Sequence, residues 1–461
     1  MDATLEHERK LQAPDGFELP ALGGDPLEPR VFTSVYYDVP SRSLSNAGIT
    51  LRRRTERGKS VWQLKLPAAD ARLELEQPGG PGGPPNELGK LLVAHLRGVR
   101  VEQIAELRTR RRGELVERAG STAEVTVDEV SVMDAQRVAQ EFVEVEVELR
   151  SGDPTRLDKI AKEIARAGAT PTNGTPKVFQ ALGIVPARPR RPAQPFEALR
   201  SLLRTQLGEI LRHDPGTRLG RDPESLHDMR VAVRRSRALL RAGRALIASD
   251  TELLAAELKW LGEVLGAVRD LDVLLEHLRT EAGALGSVDE KIALRLLRAL
   301  TQERKRAREA LLRALDGPRY LELLDRFELE LSQLEPSGAK ATLDALARRE
   351  LKRVRKAVGA LSDPPLDEEL HDLRKRGKRA RYAAELARNK SIAQSAKHFQ
   401  DVLGEHQDST VGEARLRALG AVAPADQAVV AGRLLERERL RQSAARDAWP
   451  AAWRRLQRAS R

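Results

Sequence analysis

The sequence predicts a chain of two unlike parts: an N-terminal α+β domain dominated by antiparallel strands, then an all-α part built twice on one plan. Three observations predict it. Up to about residue 186, apolar and polar residues alternate with period two, the pattern of strands with two dissimilar faces. Beyond Pro195 the period becomes 3.6 and Leu, Ala, Arg and Glu dominate, the pattern of helices. The helical part then repeats its own motifs in the same order. Between the parts, VPARPRRPAQP sets Pro186, Pro189, Pro192 and Pro195 at the three-residue period of an extended polyproline II linker. The expected domains are therefore 1–186, a linker at 187–195, and 196–461 with repeats at about 196–335 and 340–461.

The strands come first. LEHERKL, TLRRR, VWQLKL, ARLELE, ELRTR, AEVTVDEV and FVEVEVEL all alternate. Residues i and i+2 share a face, so Glu6, Glu8 and Lys10 lie together, as do Arg52 with Arg54, Gln63 with Lys65, and Arg108 with Arg110. Arg72, Glu74 and Glu76 form another group, then Glu124, Thr126 and Asp128, then Glu144, Glu146 and Glu148. Short helices are expected near Glu87 to Leu96 and Arg156 to Ala167. A single charged strand face is ordinarily a solvated one. Seven such faces, divided by sign, point instead to an interior where carboxylates hold Mg²⁺ or Mn²⁺ while Lys and Arg grip phosphate oxygens. Such an interior needs its charges paired or ligated.

Downstream, breaks near Asp214–Gly216, Ser249–Asp250, Gly283–Ser287, Gly317–Pro318, Pro336–Gly338, Asp363–Pro365 and Ala421–Pro424 define about eight helices. SLHDMRVAVRRSRALLRAG from Ser225 aligns with ELHDLRKRGKRARYAAELA from Glu369; LKWLGEVLGAVRDLD from Leu258 aligns with AKHFQDVLGEHQDST from Ala396. From His227, Arg230, Arg234, Arg237 and Arg241 follow on one helical face; from His371, Arg374, Lys378 and Arg381 repeat the first three offsets, and acidic Glu385 stands at the fourth. Rows of like charge repel along their helix, so solvent, local acids or a bound polyanion must compensate them. Arg269 and Lys397 are weaker candidates for the same ligand, and Asp270 and Asp408 are expected to orient the basic groups.

Charge and composition narrow the partners. The net charge is +12, from 80 Lys+Arg and 68 Asp+Glu. Residues 1–186 hold 26 basic and 28 acidic residues, leaving 54 and 40 for 187–461, so the whole excess is helical: −2 against +14. That favours a polyanionic partner for the helical part. Nucleic acid is the default for such a partner, but 7 Phe, 4 Trp and 4 Tyr are few for stacking bases of single strands, so a polyanion without bases stays open. No cysteine is present, which excludes disulfides, a thiolate nucleophile and Cys-based metal sites. MDATLEHERK lacks the apolar stretch of a signal peptide, and no apolar run approaches the ~18–20 residues that span a bilayer. A soluble, cytoplasmic protein with no membrane partner is expected.

The E-x-E-x-K of Glu6, Glu8 and Lys10, followed by YYD at 36–38, ITLRRR, WQLKLP, RLELE and EVEVELRSGD, resembles the CYTH domain of the triphosphate tunnel metalloenzymes, over most of residues 1–186. The resemblance implies an eight-stranded closed antiparallel β-barrel around a charged tunnel, and divalent-metal-dependent hydrolysis of triphosphates. By position, Glu6, Glu8, Asp128, Glu146 and Glu148 match metal-binding carboxylates, with Glu144 less secure; Glu6, Glu8 and Lys10 match catalytic residues. Arg52, Arg54, Lys65, Arg108 and Lys177 match phosphate ligands. The register of ELRTRRR leaves Arg110 or Arg111 as a second ligand on that strand. Val39 stands where the family often has Thr, and His7, on the opposite face, reads as structural.

The two His-headed stripes and the duplication resemble the CHAD domain over about residues 195–461. That implies duplicated four-helix bundles related by a pseudo-two-fold, with a basic surface for inorganic polyphosphate. Matching positions are His227, Arg230, Arg234, Arg237, His371, Arg374, Lys378 and Arg381, with Arg241 on the same stripe. The combined expectation is a bifunctional inorganic triphosphatase and polyphosphate binder, associated with polyphosphate granules where these occur. Two alternatives stay open: a non-catalytic polyphosphate-binding or granule-targeting protein, and a nucleic-acid-binding helical module joined to an unrelated enzyme.

Overall fold

The computed structural model describes residues 2–68, 71–172, 174–184, 192, 194–339 and 342–460. Most of the linker, and with it the polyproline II reading, lies outside the described residues. The chain divides into two units, residues 1–188 with 214–219 and residues 189–213 with 220–461.

The first unit is one antiparallel sheet. Its strands are β1 (Asp2–Glu6), β2 (Glu8–Ala13), β3 (Asp25–Pro26), β4 (Arg30–Asp38), β5 (Thr50–Glu56), β6 (Lys59–Ala68), β7 (Ala71–Pro78), β8 (Glu102–Arg118), β9 (Ser121–Asp134), β10 (Arg137–Ser151) and β11 (Thr170–Pro171). Its helices are α1 (Ser43–Asn46), α2 (Asn86–Leu91), α3 (Val93–Leu96), α4 (Leu157–Arg166) and α5 (Lys177–Ala181). The strands pair in the order β1-β7-β6-β5-β4-β8-β9-β10-β2-β11, and β3 pairs β8.

The closed eight-stranded barrel does not form. The ladder is an open path that runs from β1 to β2 and β11. β1 and β2 are two halves of one stretch broken at His7. β1 pairs with β7 until Glu6 stands opposite Arg72, and β2 then pairs with β10 from Glu8 opposite Glu148. β7 ends at Ala71 as β10 takes over, so no ladder joins β2 to β7. The wall is carried past this point by the covalent chain, with His7 O accepting from Leu149 N at 2.9 Å.

The alternation predicted from sequence is inverted in space relative to an ordinary core. Val125, Val127, Val145 and Val147 point outward and are buried under Leu157, Ile160 and Ile164 of α4. Leu51, Trp62, Leu64 and Leu75 point outward under Leu44 of α1 and Leu88 and Leu91 of α2. Burying each such side chain contributes about 1.5–3 kcal/mol. The apolar cores therefore lie outside the wall, which leaves the charged faces inside it.

Ten helices follow among the described residues: α6 (Pro195–Leu219), whose residues 214–219 belong to the first unit, and in the second unit α7 (Pro223–Ala242), α8 (Glu252–Gly283), α9 (Ser287–Leu296), α10 (Arg298–Asp316), α11 (Pro318–Gln333), α12 (Leu343–Val358), α13 (Asp367–Leu386), α14 (Lys390–Ala421) and α15 (Ala425–Ala459). The break expected at Asp214–Gly216 is absent, because α6 runs on through Pro215. Breaks without proline occur instead at Leu297, between α9 and α10, and at Arg388, whose φ of 58° ends α13. The repeats are not two separate bundles. Leu351, Leu373, Phe399, Leu403, Trp453 and Leu456 join α12 to α15 in one core. A second core mixes repeats: Leu275, Leu278, Ala293 and Leu300 of α8–α10 pack with Leu416 of α14 and Leu434 of α15.

Candidate functional site: a charged tunnel and a basic helical cleft

The wall of the first unit encloses a cavity of about 260 Å³. Nine cations and six carboxylates line it. All but Lys177, which opens α5, come from the i, i+2 face that the alternation turns inward, and the antiparallel registers set Lys10 opposite Glu146, Lys65 opposite Glu74 and Arg52 opposite Gln63.

At one side the charges are closely matched. Lys177 Nζ lies 2.8 Å from Asp128, 2.8 Å from Glu144 and 2.7 Å from Glu146. Lys10 Nζ lies 2.7 Å from Glu146, and Arg111 donates to both oxygens of Asp128 (2.7 and 2.6 Å) and to Glu146 (2.6 Å). Burial works to raise the Glu146 carboxyl but is outweighed by Lys10, Lys177 and Arg111, which hold it well below the usual range. Burial likewise works to lower Lys10, and Glu144, Glu146 and Glu8 overcome it, so the ammonium is held well above its usual value. Charge pairs at such distances in a dry interior stay ionised because each supplies what the other lost in water.

The other side is not so balanced. Burial pushes Glu148 up to about 7, with Glu6 adding to the effect and Arg150 opposing it. Glu6 is also raised, by burial and by its hydrogen bond with Glu74, although Lys65 Nζ is 2.6 Å away. Arg52 donates to Gln63 (2.7 Å) and to the Tyr36 hydroxyl (3.1 Å). Arg54 pairs with Glu56 and stacks 3.9 Å from the Phe32 ring centroid; burial and Arg52 lower its pKa.

The expected site residues separate accordingly. Glu6, Glu8, Lys10, Arg52, Arg54, Lys65, Glu146, Glu148 and Lys177 all line the cavity. Arg108 and Arg110 do not: they are exposed on the outer face of β8, where Arg108 stands opposite Ser131 and Arg110 opposite Glu129. The inward set of that strand is Leu107, Thr109 and Arg111, so the register of ELRTRRR resolves to Arg111. Asp128 is fully buried behind Arg111 and Lys177 and lies off the cavity wall. Among the described residues, no three His, Asp or Glu side chains come together as a ready metal cluster. The cations already neutralise Asp128, Glu144 and Glu146, which accounts for this. The donors that fit a divalent ion are Glu6, Glu8 and Glu148: hard oxygen ligands, Glu8 opposite Glu148 in the ladder, with Glu6 and Glu148 carrying raised pKa values that a bound cation would bring down. Sequence reasoning missed Arg30, Phe32, Tyr36 and Arg150 on the wall. Their signal was present, since Arg150 extends the Glu144–Glu148 alternation and Arg30 begins that of β4.

In the second unit, α7 and α13 bring their stripes to one cleft of about 250 Å³. Arg234, Arg237, Arg241, Lys375, Lys378 and Arg379 line it, with Glu350 as its carboxylate and Arg234 donating to the Tyr382 hydroxyl at 2.8 Å. Burial, then Arg374, Arg234 and Arg230, push Lys378 down to about 7. The duplication shows in the flanking contacts: Arg230 bonds Asp270 at 2.7 Å, and Arg374 faces Asp408 at 3.7 Å. A Cβ on Gly266 would meet Arg230, and one on Gly404 would meet Arg374, so each arginine lies across a glycine one turn before its aspartate.

Not every stripe residue reaches the cleft. Arg381 is buried and turned away, donating to Glu385 (2.9 Å) and Gln400 (3.1 Å). Glu385, where the first repeat has Arg241, captures the arginine one turn before it. His227 and His371 are off the cleft, and burial with neighbouring cations lowers the pKa of both. Lys397 pairs with Asp401 at 2.7 Å, away from the cleft. Lys375 and Arg379 were missed, because they lie outside the offsets that the two repeats share.

A family model for the CYTH domain matches residues 4–174, and one for the CHAD domain matches residues 201–417. The uncharacterized protein Rv2226 of Mycobacterium tuberculosis is 31% identical over 499 residues, covering 99% of this chain and 97% of its own. The chain belongs to the CYTH–CHAD proteins. This CYTH–CHAD protein is also similar to PptA from Streptomyces chartreusis, with 26% identity over 56% of this chain and 99% of that one at a TM-score of 0.49. The CHAD domain from the plant Ricinus communis gives 28% identity over 59% and 96% at 0.48. Among the described residues, no helix of the CYTH–CHAD protein is long and apolar enough to cross a membrane.

Proposed function

We propose that the CYTH unit hydrolyses triphosphates with a divalent metal, inorganic triphosphate foremost, and that the CHAD cleft binds inorganic polyphosphate. The observation that carries the first part is the tunnel wall itself, with more cations than carboxylates among the described residues and two carboxyls, Glu6 and Glu148, whose pKa values burial raises. Arg52, Arg54, Arg111 and Lys65 suit phosphate oxygens, and their charge opposes the negative charge that builds on a leaving phosphate. Arg54 covers one face of Phe32, which reduces the surface that a base could stack on. Glu6, Glu8 and Glu148 would hold Mg²⁺ or Mn²⁺, which when bound supplies Lewis-acid polarisation of a phosphoryl oxygen. Lys10, held charged by Glu144 and Glu146, keeps Glu146 ionised and oriented beside that group. In the helical unit, six cations around one cleft with a single carboxylate favour a polyanion, and the lack of an aromatic platform beyond Tyr382 favours one without bases.

Phosphate release measured with Mg²⁺ or Mn²⁺ across inorganic triphosphate, nucleoside triphosphates, thiamine triphosphate and long polyphosphate tests the first part. Release from triphosphate that Glu6→Ala abolishes supports it. Binding without release from any of them would leave a polyphosphate-binding protein whose tunnel only holds phosphate. For the second part, retention on immobilised polyphosphate should survive excess DNA and weaken steeply with salt, as polyanion contacts do. Displacement by DNA would favour nucleic acid instead.

A further inference from the structure

At His7 the ladder of the tunnel wall is interrupted, since β2 does not pair with β7. β7 stops at Ala71, the far flank of β2 meets only the two residues of β11, and a groove of about 700 Å³ lies between them. One lip is Glu8, Arg9 and Lys10; the other is Pro67, Ala71 and Arg72. Outside, Asp158, Ala161, Lys162 and Ala165 of α4 form its far wall, being at i, i+3, i+4 and i+7 on one helical face. Glu8, Lys10 and Arg72 also line the tunnel, so the groove and the tunnel share a wall where the ladder is interrupted.

We propose that this groove is a lateral binding site for the tail of a linear phosphate chain whose terminal phosphates occupy the tunnel. The inference rests on the triphosphate reading of the tunnel and extends it to longer chains. Four cations follow the route from inside to outside: Lys10 and Arg72, then Arg9 and Lys162. Among the described residues two carboxylates line the groove with them, Glu8 and Asp158; Asp158 is held by Arg9 at 2.6 Å, and Lys10 also bonds Glu146 on its tunnel side at 2.7 Å. Lys162 is exposed and has no ion-pair partner among the described residues. The groove carries no aromatic ring among its lining residues, so it has no surface on which a base would stack. Its alanines leave space without a shaped pocket, which suits a flexible chain held by charge.

The chain contains no cysteine, so Ala161→Cys places a single thiol in the groove without removing a cation. Arg110→Cys, on the exposed outer face of β8, is the control. Maleimide alkylation of the full chain is timed with inorganic triphosphate or long linear polyphosphate at equal total phosphate. Polyphosphate is expected to slow alkylation at position 161 about tenfold, and triphosphate less than about twofold. The control should respond to neither, and Arg52→Ala in the Ala161→Cys background should relieve the protection. Equal effects at both positions, no protection at 161, protection that survives Arg52→Ala, or protection by a nucleoside triphosphate alone would overturn the proposal. The readout needs no turnover. Loss of hydrolysis with protection intact would sink only the enzymatic reading, and hydrolysis without protection would sink only the groove.

Discussion

Lys177 in the tunnel and Lys378 in the helical cleft are both largely buried, yet they titrate in opposite directions. Burial lowers both. Around Lys177, Asp128, Glu144 and Glu146 overcome it and hold the ammonium above its usual value. Around Lys378, Arg374, Arg234 and Arg230 add to it and bring the group down to about 7. The tunnel thus stores its positive charge against carboxylates already in place, whereas the cleft leaves its charge uncompensated. An incoming polyanion must compete with internal partners in the first case and supplies the missing partner in the second. The difference teaches that a count of basic residues says little about affinity until their neighbours are known.

Four experiments would break or sharpen this contrast. The largest effect is expected from Glu6→Ala, which should lower phosphate release about 10³-fold in a steady-state assay, as loss of an ion ligand does. A fall of less than about tenfold would remove Glu6 from the ion site. Next, Lys177→Met should cost about 3–5 kcal/mol in urea denaturation, because it removes the cation shared by Asp128, Glu144 and Glu146 and leaves buried Glu144, among the described residues, with only Lys10, 3.6 Å away. Lys378→Met removes an ammonium already surrounded by cations and should cost little or raise stability in the same assay.

The third concerns pH, and the two sites should respond oppositely. Glu148 is protonated below about 7 and ionised above it, so phosphate release should climb as pH rises from 6 to 8. Lys378 is protonated below about 7, so polyphosphate affinity should fall by about tenfold over the same range, with proton uptake on binding seen by calorimetry in two buffers. Parallel pH profiles would defeat the comparison. The smallest effects are expected where the stripes and strands turn away. Arg381→Ala should change polyphosphate affinity less than about twofold, and the pair Arg108→Ala with Arg110→Ala should leave triphosphate KM within about the same margin, both checked by titration.

Much of the tunnel was legible because strand alternation is local. Glu6, Glu8 and Lys10, or Arg52 and Arg54, share a face whatever the rest of the chain does. The same rule failed at ELRTRRR, where three arginines in a row fit either phase and only pairing with β4 and β9 chose Arg111 over Arg108 and Arg110. In the helices, period 3.6 identified the stripe but not its exceptions. Arg381 is captured by Glu385 on its own helix and Gln400 on α14, and Lys375 joins the cleft from outside the shared offsets.

By itself the sequence determined the two-part design, the alternating and helical periods, the duplication and the placing of all net positive charge in the helical part. These depend on backbone geometry and composition, which act over a few residues. Tertiary structure alone decided that the apolar cores lie outside the wall, that the ladder stays open at His7, and which cations face carboxylates. Those outcomes turn on pairs such as Lys10 with Glu146 and Arg234 with Tyr382, 136 and 148 residues apart. No local pattern encodes the sign of a neighbour that distant, and in a buried site that sign decides whether a charge is held or waiting.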